Sequence, residues 1–150
     1  MKESIRLCLL FSVALLFCGC EKTKEEKDIK LETLKGTKWK LEGIADDRTG
    51  TLKVLEPKDC EECFTLTFDT NSTFSGFSTT RNLSGECNID YATNAINISM
   101  YFLPALDELD FDAELYVRDL ENVFSFSLQE NNTKLILYFN DKSYFLYNKL

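Results

Sequence analysis

Hydrophobic and polar residues alternate along most of the chain after Trp39, a period typical of half-buried β-strands. The first such segment places Trp39 and Leu41 between charged residues. The later inward positions are Phe64, Leu66 and Phe68; Leu83, Cys87, Ile89 and Tyr91; Ile96, Ile98, Met100 and Phe102; Phe124, Phe126 and Leu128; Leu135, Leu137 and Phe139; and the segment 144–147. Asn97 and Ser99 are predicted to face outward.

Short polar segments separate the predicted strands at 69–72, 92–94, 130–133 and 140–142. They are rich in Asn, Asp, Ser and Thr, which favour turns because their side chains bond to nearby backbone. Short turns join neighbouring strands in antiparallel hairpins. The pattern therefore predicts an antiparallel meander.

One segment has a helical period instead. Ala113, Tyr116, Val117 and Leu120 are spaced so that one face of a helix of about 10 residues is apolar. Acidic residues at its start suit the positive end of the helix dipole. About eight strands and one short helix predict a mainly β fold, as a strongly curved sheet or small barrel with the helix over an open side.

The start of the first strand resembles two bacterial families. Gly36-Thr-Lys-Trp39-Lys-Leu41 resembles the opening of META-domain (HslJ-like) lipoproteins, and its glycine and tryptophan are similar to those of lipocalin-like lipoproteins. The resemblance covers most of residues 33–150, including the helix and the strands after it, and Asn82-Leu-Ser-Gly85 partly echoes an Asn-rich META signature. It implies a β-rich envelope lipoprotein and brings no catalytic motif.

The N-terminus has the pattern of a lipoprotein signal peptide over residues 1–19. Lys2 and Arg6 precede an apolar run of 11 residues, Leu7 to Phe17, which is too short to span a bilayer. Gly19 directly before Cys20 resembles the bacterial lipobox. We therefore expect a lipid on Cys20, with an ordinary secretory signal as the alternative.

A charged spacer follows the expected lipid site. Residues 20–30 carry four acids, four lysines and no aromatic residue, which predicts a flexible tether before a single domain at 31–150. Lys24-Glu25-Glu26 resembles the signal that sends Bacteroidetes lipoproteins to the cell surface. We expect an exported outer-membrane lipoprotein, on the cell surface in preference to the periplasmic side.

Charge and composition exclude some classes of binding partner and some classes of reaction. The formal charge is −8; residues 1–19 carry +1 and residues 20–30 carry none, so the predicted domain carries −9. An acidic domain repels nucleic acid, which is therefore not an expected partner. It also repels anionic membrane, so the lipid is expected to provide the membrane contact. The chain has no histidine, which excludes histidine-based catalysis. No enzymatic activity and no cofactor are expected.

Cys60-Glu-Glu-Cys63 precedes an alternating strand, whereas thioredoxin-like sites precede a helix. The two glutamates would also raise a thiolate pKa, against the needs of redox catalysis. In an oxidising compartment Cys60 and Cys63 are expected to form a structural disulfide. Cys87 lies on an apolar face and is expected to be a buried thiol; a Cys87 bridge to Cys60 or Cys63, and a zinc site, are the alternatives.

Five carboxylates crowd residues 107–114, and Asp110, Asp112 and Glu114 alternate like ligands of a calcium loop. The loop lacks the glycine and distal glutamate of an EF-hand, which leaves a weak calcium site or an acidic helix start.

Some aromatic residues are hard to place on the inward face of a strand. They could form a binding surface, or they could pack on the second face of the sheet: Phe74, Phe77, Tyr101, Tyr116 and Tyr138.

Three functions fit these observations. The first is a non-catalytic envelope lipoprotein whose β domain binds an extracytoplasmic protein or glycan. The second is a small lipid-anchored inhibitor of a protease or other hydrolase, acting through a rigid loop at 56–63. The third is a lipocalin-like carrier. A ligand-sized cavity would favour the carrier, whereas a filled core with a protruding 56–63 loop would favour the inhibitor or an adhesin.

Overall fold

The described residues of the computed structural model, 33–101 and 110–150, form nine strands and one helix. All belong to one compact unit that runs from Glu32 to Leu150. In chain order the elements are β1 (Thr37–Asp46), β2 (Thr51–Lys53), β3 (Thr65–Phe68), β4 (Thr73–Phe77), β5 (Asn82–Asp90), β6 (Ala95–Met100), α1 (Phe111–Leu120), β7 (Ser125–Gln129), β8 (Lys134–Tyr138) and β9 (Ser143–Lys149).

Eight of these strands form a closed antiparallel barrel. The strands from β3 to β9 pair in chain order, β3 pairs with β1, and β9 returns to pair with the other edge of β1. The short strand β2 is an addition outside the barrel, paired with the second half of β1. The predicted meander, curved into a small barrel with one short helix, is confirmed.

A β-bulge in β1 lets the strand change its inward residues. Leu41 pairs with Tyr147 and Gly43 with Leu146, so Glu42 is an extra residue between them. An extra residue shifts the alternation of side chains. Leu41 and Ile44 therefore both pack on the core, although they are three residues apart.

Large aromatic side chains fill the barrel. The largest fully buried ones include Trp39, Phe68, Phe74, Phe145 and Tyr147. The helix α1 adds Tyr116, whose ring lies 5.3 Å from the rings of both Phe64 and Phe145 in edge-to-face contacts. This helix starts at the predicted place, and the side chain of Asp110 caps it by accepting from the Asp112 N–H.

Two details of the predicted strands differ from the structure. Phe124, expected to point inward, is half exposed and lies before β7, which begins at Ser125. The strands β2 and β4 were not predicted; all three residues of β2 are exposed, and no alternating pattern marks β4. Phe102 lies outside the described residues. None of the helices in the described ranges is long and apolar enough to cross a membrane.

Candidate functional site

The loop before β3 carries the predicted cysteine pair. The sulfurs of Cys60 and Cys63 lie at bonding distance, 2.00 Å apart. The ammonium group of Lys40, on β1, donates to the carbonyl oxygens of both cysteines, at 2.6 Å from that of Cys60. Burial lowers the pKa of Lys40, and the carboxylate of Glu61 opposes this effect. The turn between the cysteines is therefore tied to the barrel wall.

The other end of this loop is held by the helix. Leu55 is buried, and the N–H of Glu56 donates to Asp112 Oδ2 at 3.0 Å. Lys53 Nζ lies 2.6 Å from Asp112 Oδ1. Most of the residues between these two attachments are exposed, namely Glu56, Pro57, Lys58, Asp59, Glu61 and Glu62. The loop protrudes but is anchored at both ends.

The three candidate calcium ligands do not share one site. Asp110 caps the helix, Asp112 is buried against Lys53, and Glu114 is exposed. Burial would raise the pKa of Asp112, but the hydrogen bonds from Lys53 and Glu56 outweigh it and lower the pKa. Across residues 33–101 and 110–150, no three acidic or cysteine side chains gather closely enough to hold a metal ion.

Cys87 is a buried free thiol on the inner face of β5. Burial, with a smaller contribution from Asp69, raises its pKa to about 11. The thiol is therefore protonated at neutral pH, and a protonated thiol is a poor nucleophile.

The five aromatic candidates do not form one surface. Phe74 and Tyr116 belong to the core, contrary to their interpretation as a surface, and Phe77 packs partly against it. Tyr138 pairs with Tyr144 on neighbouring strands, with ring centroids 5.5 Å apart. Tyr101 is the exposed member, at 55%. Phe74 was misjudged because no alternating pattern marks β4.

Among the residues that the structure describes, large core side chains occupy the barrel interior. A cleft of about 90 Å³ lies between the ends of β5 and β6 and the helix, with Leu83, Met100 and Val117 among its lining residues. Pockets that hold small organic ligands usually measure about 300–1,000 Å³. The cleft beside α1 is smaller than such a pocket.

The outer face of β4, β5 and β6 carries a further group of polar residues that the sequence analysis did not single out. Glu86 faces Ser99 and Asn88 faces Asn97 across the β5–β6 pair, and all four side chains are exposed. The strand alternation already predicted that Asn97 and Ser99 point outward. Their proximity to Glu86 and Asn88 depends on the strand register, which the sequence did not provide.

The expected lipid-attachment residue Cys20, the predicted signal peptide and the predicted tether at 20–30 lie outside the described residues. Only comparison with other proteins bears on these predictions. A protein of Tannerella forsythia named "Putative lipoprotein" is 29% identical to this chain, and the match covers 99% of this chain and 97% of the relative. No family model matches the chain.

Two solved structures share the fold. A DUF4847 family protein from Bacteroides vulgatus is 15% identical, with a TM-score of 0.59 over 77% of this chain and 93% of its own. A protein from Burkholderia xenovorans is 16% identical, with a TM-score of 0.58 over 78% of this chain and 83% of its own. The chain is therefore similar along nearly its whole length to a Tannerella protein named as a lipoprotein, and it shares its fold with these two solved structures.

Proposed function

We propose that this chain is a non-catalytic outer-membrane lipoprotein that is anchored through Cys20 and displayed at the cell surface. Its barrel binds an extracellular protein or glycan on its outer surface. The similarity to the Tannerella lipoprotein includes the N-terminal region and supports the anchor. The Lys24-Glu25-Glu26 segment supports surface display.

The filled interior is the observation that carries the binding mode. Trp39, Phe145 and Tyr147 are at most 1% exposed and occupy the space that a carrier would reserve for its ligand. A lipocalin-like carrier needs an internal cavity, and the 90 Å³ cleft beside α1 is smaller than such a cavity. Surface binding is thus favoured over the carrier function. The resemblance to META-domain and lipocalin-like lipoproteins does not distinguish these two functions.

A hydrolase inhibitor is the second candidate, and the anchored 56–63 loop favours it. Binding through a loop that is already ordered avoids part of the entropic cost of association. The Cys60–Cys63 bond and the two Lys40 hydrogen bonds provide that order. This function predicts that breaking the Cys60–Cys63 bond weakens inhibition of a target hydrolase.

Fatty-acid labelling tests the anchor. Cells expressing the full chain are fed an alkyne analogue of palmitate, and the protein is isolated and coupled to a fluorophore. We expect label on the wild type and on Cys18→Ala, and none on Cys20→Ala, because Gly19 places the cleavage site before Cys20. Label that persists in Cys20→Ala would exclude the proposed anchor.

A further inference from the structure

The outer face of β4, β5 and β6 carries two adjoining surface depressions. One, of about 470 Å³, is bordered by Thr73, Glu86 and Ser99, and the other, of about 300 Å³, by Asp90 and Phe124. Asn88 and Asn97 border both, so the depressions meet at this asparagine pair. We call the residues Glu86, Asn88, Asp90, Asn97, Ser99, Tyr101 and Phe124 the amide strip.

The strip has an exposed aromatic ring at each end. Phe124 is 50% exposed beside Ala95, at the start of β6, and Tyr101 is 55% exposed just after its end. The hydroxyl group of Tyr101 donates to Glu86 Oε1 at 3.1 Å, which orients this ring along the strip. At about 3.3 Å per residue, Ala95 to Tyr101 spans about 20 Å. The strip therefore suits an extended ligand.

The charges and polar groups of the strip determine which functional groups of a ligand it can bind. Within residues 33–101 and 110–150, no lysine or arginine borders either depression, so phosphate, sulfate and carboxylate groups find no cationic partner among these residues. Glu86 and Asp90 repel such anions but can accept hydrogen bonds from hydroxyl groups. The amides of Asn88 and Asn97 offer both donors and acceptors, as the hydroxyl groups of a sugar also do.

From this arrangement we propose that the amide strip binds a neutral oligosaccharide chain. The asparagine pair and Glu86 bond to hydroxyl groups, while Phe124 and Tyr101 stack on the C–H faces of sugar rings at the two ends. This inference deepens the proposed function, because it assigns surface binding to one face of the barrel and to one class of ligand.

Glycan binding by the full-length lipidated protein tests the inference. The protein is kept in a detergent without a sugar headgroup, and binding is measured to neutral hexasaccharides of glucose, mannose, xylose and N-acetylglucosamine, with a heparin hexasaccharide as the anionic comparison. We expect at least one neutral hexasaccharide to bind and the heparin fragment not to bind.

Three variants locate the binding. Asn88→Ala combined with Asn97→Ala, and separately Phe124→Ala, should each raise the Kd of the bound hexasaccharide roughly 10-fold, which corresponds to the loss of two hydrogen bonds or one stacked ring. Gln129→Ala is the matched control, since it removes an exposed amide from β7 and should leave the Kd unchanged. A thermal melt of each variant checks that the barrel is intact.

Three results would overturn the inference. Binding that is unchanged in the asparagine and Phe124 variants would move the glycan site elsewhere on the barrel. Preference for the heparin fragment would contradict the charge argument. Absence of binding to every neutral hexasaccharide would exclude the ligand class. None of these results affects the anchor at Cys20, which the labelling experiment tests independently.

Discussion

At the scale of single residues, two hydroxyl groups lie in the aromatic core. Tyr116 and Tyr147 are both fully buried, and Tyr147 Oη donates to Tyr116 Oη at 3.0 Å. Burial raises the pKa of both phenols, so both are neutral under ordinary conditions. Because a buried polar group without a partner is costly, the two hydroxyl groups depend on each other.

We predict that the effects of removing the two hydroxyl groups are coupled. The losses of stability in the two single variants should together exceed the loss in the double variant. Tyr116→Phe or Tyr147→Phe leaves the other hydroxyl group unpaired and should lower the free energy of unfolding by about 1–3 kcal/mol. The double variant should lose less than the sum of the two losses. Urea denaturation measures all three, with the half-buried Tyr144→Phe as a control; additive losses would contradict the coupling.

The buried carboxylate of Asp112 should make stability depend on pH. Its pKa lies below the usual value of 3.8, so its contribution is complete above that value and is lost as the pH falls through the lowered pKa. Asp112→Asn removes the charge that faces Lys53 and should cost about 1–2 kcal/mol at pH 7.

Denaturation of wild type and Asp112→Asn between pH 2 and pH 7 checks this expectation. The difference between them should shrink as the carboxylate is protonated. Glu114→Gln is the matched control on the same helix, where the side chain is exposed and the effect should be a few tenths of a kcal/mol. A difference that stays constant to pH 2 would show that charge is not its source.

At the scale of elements, the loop between β2 and β3 is held by contacts with β1 and α1. Its two attachments, Lys40 to the cysteine carbonyl oxygens and Asp112 to Glu56, join residues far apart in sequence. The disulfide closes only a short turn, and the entropy of so small a loop contributes about 2 kcal/mol at most. We therefore attribute much of the order of this loop to Lys40.

Lys40→Met tests that attribution. Losing both donated hydrogen bonds should accelerate amide hydrogen exchange in residues 56–63, while the bond between Cys60 and Cys63 stays formed. Lys38→Met is the matched control, because Lys38 is exposed on the same strand. Equal protection of the loop in both variants would show that Lys40 does not contribute to its order.

The β6–β7 pairing is the shortest one between the described strands of the barrel. It has one residue pair in register, Ala95 with Ser125, flanked by hydrogen bonds from Ile96 to Phe124 and from Phe126 to Asn94. By comparison, β1 and β9 pair along most of their length, from Trp39 to Asp46. The helix α1 precedes β7 in the chain.

We predict that the barrel opens first at this junction. Native-state hydrogen exchange should show the amides of Ile96 and Phe126 exchanging through local opening, with a free energy below that of global unfolding. The amides that join β1 and β9 should exchange only on global unfolding. Slower exchange at Ile96 than at the amides that join β1 and β9 would contradict this order.

For the molecule as a whole, hydrophobic alternation was sufficient to predict the fold class. The inward faces of β5 and β6 and the single helix are as predicted, because each is a local pattern. The strands β2 and β4 were missed, because the exposed strand β2 has no inward residues and β4 has no alternating pattern. Barrel closure through β1 and β9 could not be derived, because no local pattern specifies which distant strands pair.

The candidate sites were less predictable than the fold for the same reason. The Cys60–Cys63 pair was found because its two members are three residues apart. Lys40 was missed, since its partners lie 20 and 23 residues away. The amide strip combines residues of β5 and β6 with Phe124, and only the register and the fold bring them to one face.

Surface display of a lipid-anchored barrel is the central claim, and proteolysis of intact cells tests it most directly. Cells expressing the full chain are treated with proteinase K, with lysed cells and a periplasmic marker protein as controls. We predict that intact cells lose the barrel domain while the periplasmic marker survives. Digestion of the barrel only after lysis would contradict surface display.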